Sequence, residues 1–69
     1  MARRIRLIGT DSKVGECPTL YEDIDTREVI VQGDILTDPE DIAQMKNVRE
    51  GEGFLVIPRQ LLINHAPKE

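Results

Sequence analysis

Tryptophan is absent, and Tyr21 and Phe54 are the only aromatic rings in 69 residues. A core here must be built from Ile, Leu and Val. Basic residues interleaved with aromatic rings, which stack nucleic-acid bases, are also missing. Cysteine occurs once, as Cys17, so no disulfide can close within the chain. With Cys17 and His65 the single members of their kinds, a structural zinc site lacks ligands, and no metal or cofactor is expected. No apolar run approaches the roughly 18 residues that span a bilayer. The opening MARRIRLIG has charge but neither the apolar core nor the cleavage site of a secretory signal. A lone thiol without an export signal fits a reducing cytoplasm, which is the expected location.

A chain of 69 residues is one domain at most, spanning 1–69, with 1–3 and 64–69 expected to fray. At this size folding buries only about 60% of the unfolded surface, so small domains often need a staple. With disulfide and metal set aside, either a self-sufficient core or a homodimer remains. The 13 acidic residues outnumber the 9 basic ones, for a net charge of -4. That balance repels a phosphate backbone at long range.

The organising stretch is Cys17 to Gly33, CPTLYEDIDTREVIVQG. It reads as two strands, 19–22 and 28–32, joined by the polar turn 23–27. Asp23 and Asp25 can close that turn by bonding backbone N–H groups. Val29 and Val31 share one face, Ile30 and Gln32 the other. Before the hairpin, alternation over 3–9 predicts a strand with Arg4 and Arg6 outward and Ile5 and Leu7 inward, and 10–16 reads as a loop. Pro18 suits a strand entry. After it, Thr37 and Glu40 have the spacing of a capping box, with Pro39 in the first turn and Asp38, Glu40 and Asp41 complementing the helix dipole. A helix is expected over about 38–47, with Ile42 and Met45 on its buried face. Phe54-Leu55-Val56-Ile57 predicts a strand buried on both faces, stopped by Pro58. Residues 59–63 have room for one helical turn. The expected fold is α+β: a three- or four-stranded, mainly antiparallel sheet packed by one short helix, with a C-terminal helical turn.

Catalytic chemistry finds little support. Asp23-Ile24-Asp25 begins like a calcium loop, but Arg27, Glu28 and Asp34 stand where the ligand at the fifth position, the glycine at the sixth and the closing glutamate at the twelfth belong. A nucleophilic Cys17 would need a base, and the lone histidine lies in the terminal segment. Glu16, Glu22 and Glu28 are accounted for as strand exteriors, and a chain this small has little room for a deep pocket. No catalytic residue is assigned, and the protein is expected not to be an enzyme. Arg3, Arg4 and Arg6 are the best case for phosphate contact, set against the simpler role of charges that blunt an exposed edge strand.

Taken together, CPTLY, VQG, TDPEDIAQ and VIPRQLL resemble a family of short actinobacterial proteins without an assigned chemistry. The resemblance covers about 4–62. The hairpin turn departs from the shorter glycine-containing turn of that family. Members are often encoded near helix-turn-helix regulators, which implies an accessory role in transcription regulation and such a regulator as the partner. No functional residue carries over. The expected function is a non-enzymatic protein-interaction module, with Tyr21, Ile24, Arg4 and Arg6 as partner-binding residues. The alternative is direct nucleic-acid binding through Arg3, Arg4 and Arg6.

Overall fold

The β-branched run of residues 29–31 pairs with the strand before it, as the hairpin reading predicts. The computed structural model describes residues 2–11 and 18–68. Strands β1 (Ile5–Thr10), β2 (Thr19–Asp23) and β3 (Val29–Gln32) form an antiparallel sheet in the order β1-β2-β3. Strands β4 (Asp34–Ile35) and β5 (Leu55–Val56) form a separate two-stranded antiparallel ribbon. Helix α1 (Pro39–Ile42) lies between them, and helix α2 (Arg59–His65) follows β5. This is the expected small α+β fold. Among the described residues, no helix is long and apolar enough to cross a membrane.

The hairpin closes as its acidic turn implies. Asp23 Oδ1 accepts from the N–H groups of Asp25 (2.8 Å) and Thr26 (3.0 Å). The Arg27 N–H donates to the Asp23 carbonyl at 2.9 Å, and Arg27 takes a φ of 68° to complete the reversal. At the other end, β1 runs through Thr10, where a loop was expected. The Thr10 hydroxyl and the Asp11 N–H both donate to the Pro18 carbonyl, at 3.1 and 3.0 Å. Pro18 stands directly before β2, as a strand entry should. The remainder of the expected loop, and Cys17, lie outside the described residues.

Register decides which residues share a face. Leu7 pairs with Tyr21, but the next pair is Gly9 with Leu20, so Ile8 is an extra residue in β1. This bulge moves Gly9 to the face of Leu20 and breaks the simple alternation. Leu20 pairs onward with Val31, and Tyr21 with Ile30, so Val31 and Ile30 lie on opposite faces as expected. Helix α2 covers the Gly9–Leu20 face. A Cβ on Gly9 would sit 2.2 Å from Nδ1 of His65, so the missing side chain is the seat of that ring. Among the described residues, Leu20 and Leu61 form the buried hydrophobic core, each 0% exposed.

Several expectations are corrected. Ile5 and Leu7 face the uncovered side and are 52% and 57% exposed, because the packing helix sits on the other face. The helix that packs is the C-terminal one, and it runs two turns to a half-buried His65 where one turn and a frayed tail were expected. The helix expected over 38–47 is a single turn that buries no residue. Its cap is Asp38, not Thr37: Asp38 Oδ1 accepts from the Glu40 N–H at 2.9 Å. The residue before a proline is kept out of the helical region, so Asp38, with ψ 118°, is the last non-helical residue and takes the cap. Beyond Ile42 the chain tightens into i→i−3 bonds and reverses at Asn47, φ 57°. The strand expected over 54–57 is reduced to Leu55–Val56, and both residues are exposed.

The result is open. A compact monomer of this mass exposes about 4,400 Å², whereas this chain exposes 5897 Å². Its radius of gyration is 13.6 Å, against about 11 Å for a compact chain of this length.

Candidate functional site

Two features of the three-stranded sheet could do something beyond holding it together: its uncovered face and the charged end at the hairpin turn. The uncovered face follows from the register. Leu7, Tyr21 and Ile30 lie side by side across β1, β2 and β3, with Ile5 two residues from Leu7 on the same side. Ile5 and Leu7 are exposed, and Tyr21 and Ile30 half-buried. The Tyr21 hydroxyl donates to Gln32 Oε1 at 2.6 Å, which holds the ring across β3. The strip has the Tyr21 ring among aliphatic neighbours and a fixed polar end.

The charged end is built by antiparallel pairing. Ile5 pairs with Asp23, so the arginines that begin β1 meet the carboxylates that end β2. Arg3 Nη1 donates to Asp23 Oδ2 (2.9 Å) and Glu28 Oε1 (2.8 Å). Arg4 grips both carboxylate oxygens of Asp25, and Arg6 bonds Glu22. Glu22 is also 4.0 Å from Arg27 Nε. The bonds to Glu28 and Asp23 raise the Arg3 pKa, and the bond to Asp25 raises that of Arg4. Asp23 is held below its ordinary value, first by the Thr26 N–H and then by the Asp25 N–H and Arg3, which together outweigh its burial. Glu28 is lowered by Arg3 and then by the Thr26 hydroxyl.

The four residues expected to bind a partner are therefore split. Tyr21 lies in the uncovered strip. Arg6 pairs with Glu22 across the opposite face. Ile24 sits at the turn, 46% exposed. Its N–H donates to the Arg4 carbonyl at 2.9 Å, and the Arg4 side chain reaches its neighbour Asp25. Arg4 and Ile24 are thus brought together; Tyr21 and Arg6 are not.

Ile5, Leu7 and Ile30 were missed as surface residues. The signal was present: both faces of the hairpin carry aliphatic side chains, and α2 covers one of them. On that covered side a shallow cleft of ≈ 430 Å³ opens between Glu22, Arg27, Val29 and Pro67. Its carboxylate is already engaged by Arg6 and Arg27. Among the described residues, no group of three or more His, Cys, Asp or Glu side chains is placed to hold a metal ion. The carboxylates that suggested a calcium loop cap the turn and pair with arginine instead. No protein-family model, curated protein or solved structure matches the chain.

Proposed function

We propose that this chain is a non-enzymatic protein-interaction module that docks a protein partner on the uncovered sheet face, with Leu7 and Tyr21 at the centre and Ile24 at the rim. The observation that carries this reading is the row Leu7–Tyr21–Ile30 with Ile5 beside it, a largely aliphatic strip on rigid strands in which Ile5 and Leu7 are more than half exposed. Interfaces of this kind place an aromatic anchor among aliphatic neighbours inside a polar rim. Here the ion pairs of Arg3 and Arg4 supply such a rim at the turn. The resemblance to short actinobacterial proteins encoded near helix-turn-helix regulators makes a transcription regulator the partner class, with this chain as its accessory.

Nucleic-acid binding through Arg3, Arg4 and Arg6 is the weaker reading. Each of those guanidiniums already bonds a carboxylate, so a phosphate would have to displace an ion pair within a chain of net charge -4.

The test is capture of partners from a nuclease-treated host lysate with tagged full chain, its Leu7→Lys variant and its Tyr21→Ala variant. The chosen partner is then purified and titrated directly. One protein that binds the parent and loses at least about tenfold in affinity with either variant supports the module. Capture of no protein after nuclease treatment but of nucleic acid when nuclease is omitted, with binding that falls steeply with salt and weakens on Arg4→Ala, overturns it.

A further inference from the structure

We infer that the outer edge of β1 takes up an extended segment of the partner protein as an added strand, with aliphatic side chains opposite Ile5 and Leu7 and an acidic one opposite Arg6. This rests on the reading that a protein docks on the uncovered face, and it names how that protein is held there. Among the described residues, β1 ends the sheet and pairs on one side only, with β2. In an antiparallel pair every second residue turns its N–H and C=O to the neighbouring strand, and the residues between turn theirs away. The Ile24 N–H donates to the Arg4 carbonyl at 2.9 Å. Arg4 and Arg6 therefore bond towards β2, while Ile5 and Leu7 present their backbone groups outward. A row of such groups is a template for another strand.

The opposite edge of the sheet lacks the matching side chains. The Asp23 N–H donates to the Glu28 carbonyl at 2.9 Å, so Val29 and Val31 carry the outward groups of β3. Val31 pairs with Leu20, and both valines point to the side that α2 covers. On β1 the outward backbone groups and the exposed aliphatic side chains belong to the same two residues, Ile5 and Leu7, on the uncovered face beside Tyr21. An added strand gains main-chain bonds and aliphatic contacts together.

The residues between them select the occupant. A second copy of β1 running antiparallel with Ile5 opposite Ile5 sets Arg4 against Arg6 twice, and with Ile5 opposite Leu7 it sets Arg6 against Arg6. Like charges directly opposite destabilise a strand pair. A segment with glutamate at that place is favoured instead. Arg3 shows that one guanidinium here serves two carboxylates, Asp23 and Glu28, and Arg6 remains exposed beside Glu22. The internal ion pairs cancel the far field of these arginines, so the selection acts at contact.

The probe is a blocked peptide of about six residues alternating valine and glutamate, titrated to about 2 mM into isotope-labelled full chain, with amide exchange read by NMR. The Ile5 and Leu7 N–H groups should exchange at least about fivefold more slowly, and those of Arg4 and Arg6 should not change. The same peptide with lysine for glutamate should bind at least about fivefold more weakly. A full chain assembled by ligation at Cys17, with an ester oxygen in place of the Leu7 N–H, keeps the side chain and should bind at least about threefold more weakly. Unprotected Ile5 and Leu7, equal binding of the lysine peptide, or binding that the ester leaves unchanged overturns the proposal. A captured protein whose affinity depends on Tyr21 but not on the Leu7 ester overturns the added strand and leaves face docking standing. One indifferent to Leu7→Lys and Tyr21→Ala overturns both.

Discussion

Replacing Gly9 by Ala tests whether α2 is truly seated on the sheet. A Cβ there would lie 2.2 Å from Nδ1, 2.4 Å from Cγ and 2.8 Å from Cε1 of His65. Turning the imidazole about its own axis does not clear Cγ, because Cγ is fixed by the first side-chain torsion. Either that torsion changes or the last turn of α2 lifts. Overpacking of this kind costs about 1–3 kcal/mol. Alanine also narrows the unfolded ensemble, which returns about 0.4–1 kcal/mol where the backbone accepts it. The net expectation is a loss of about 1–2 kcal/mol. For 69 residues the unfolding entropy is about 145 cal/mol/K, so each kcal/mol moves Tm by about 7 °C. Thermal unfolding by circular dichroism should therefore show Tm lowered by about 7–14 °C at fixed chain concentration. The control is the double-mutant cycle with His65→Ala. If the ring is the obstacle, Gly9→Ala should cost little in the His65→Ala chain, giving a coupling of about 1 kcal/mol or more. An equal cost in both backgrounds, or no cost in the parent, would refute the placement of α2 on Gly9.

Gly53 is the contrasting glycine: nothing lies within 4 Å of an added Cβ, so Gly53→Ala should raise stability by about 0.4–1 kcal/mol in urea titrations. Leu20→Ala or Leu61→Ala removes one half of the fully buried pair. The cost of about 2–5 kcal/mol should leave either variant largely unfolded by circular dichroism. Asp23 and Glu28 titrate below their ordinary values of 3.8 and 4.5. The folded state therefore binds their protons less readily than the unfolded state does. The stability they contribute is complete above those ordinary values and is lost as pH falls through the lower folded ones. A Tm profile from pH 7 downward should fall across that window, and Asp23→Asn with Glu28→Gln should flatten the fall; equal slopes in both chains would sink the assignment.

The hairpin was legible because its signals are local. Val29, Ile30 and Val31 declare a strand, and Asp23 two residues before Asp25 declares the turn that its Oδ1 then closes. The position of the packing helix was not local. Thr37-Asp38-Pro39-Glu40 carries a strong start signal, and it does start a helix. A start signal says nothing about what the helix will pack on, and α1 buries none of its residues. Helix α2 has no side-chain cap, only Pro58 before it. It is long because Gly9, fifty-six residues before His65, leaves room for a ring. The bulge at Ile8 is likewise invisible in the alternation of β1 and appears only in its register with β2. That bulge is why Leu7 and Gly9, two residues apart, lie on opposite faces.

The same register gives the arginines their role. The sequence RRIR invites a phosphate, and EDID invites a cation, as long as each is considered alone. Pairing Ile5 with Asp23 sets the two strings against each other, and each of Arg3, Arg4 and Arg6 then finds a carboxylate. Neither string is left with the charge its composition suggests. The uncompensated acid lies elsewhere, over residues 34–52, where Asp34, Asp38, Glu40, Asp41, Glu50 and Glu52 face only Lys46 and Arg49. A polyanion approaching the arginine end thus meets a surface already neutralised, and one approaching the α1 end meets repulsion. What the sheet leaves open to an approaching molecule is its uncovered face, where Ile5 and Leu7 are exposed beside Tyr21.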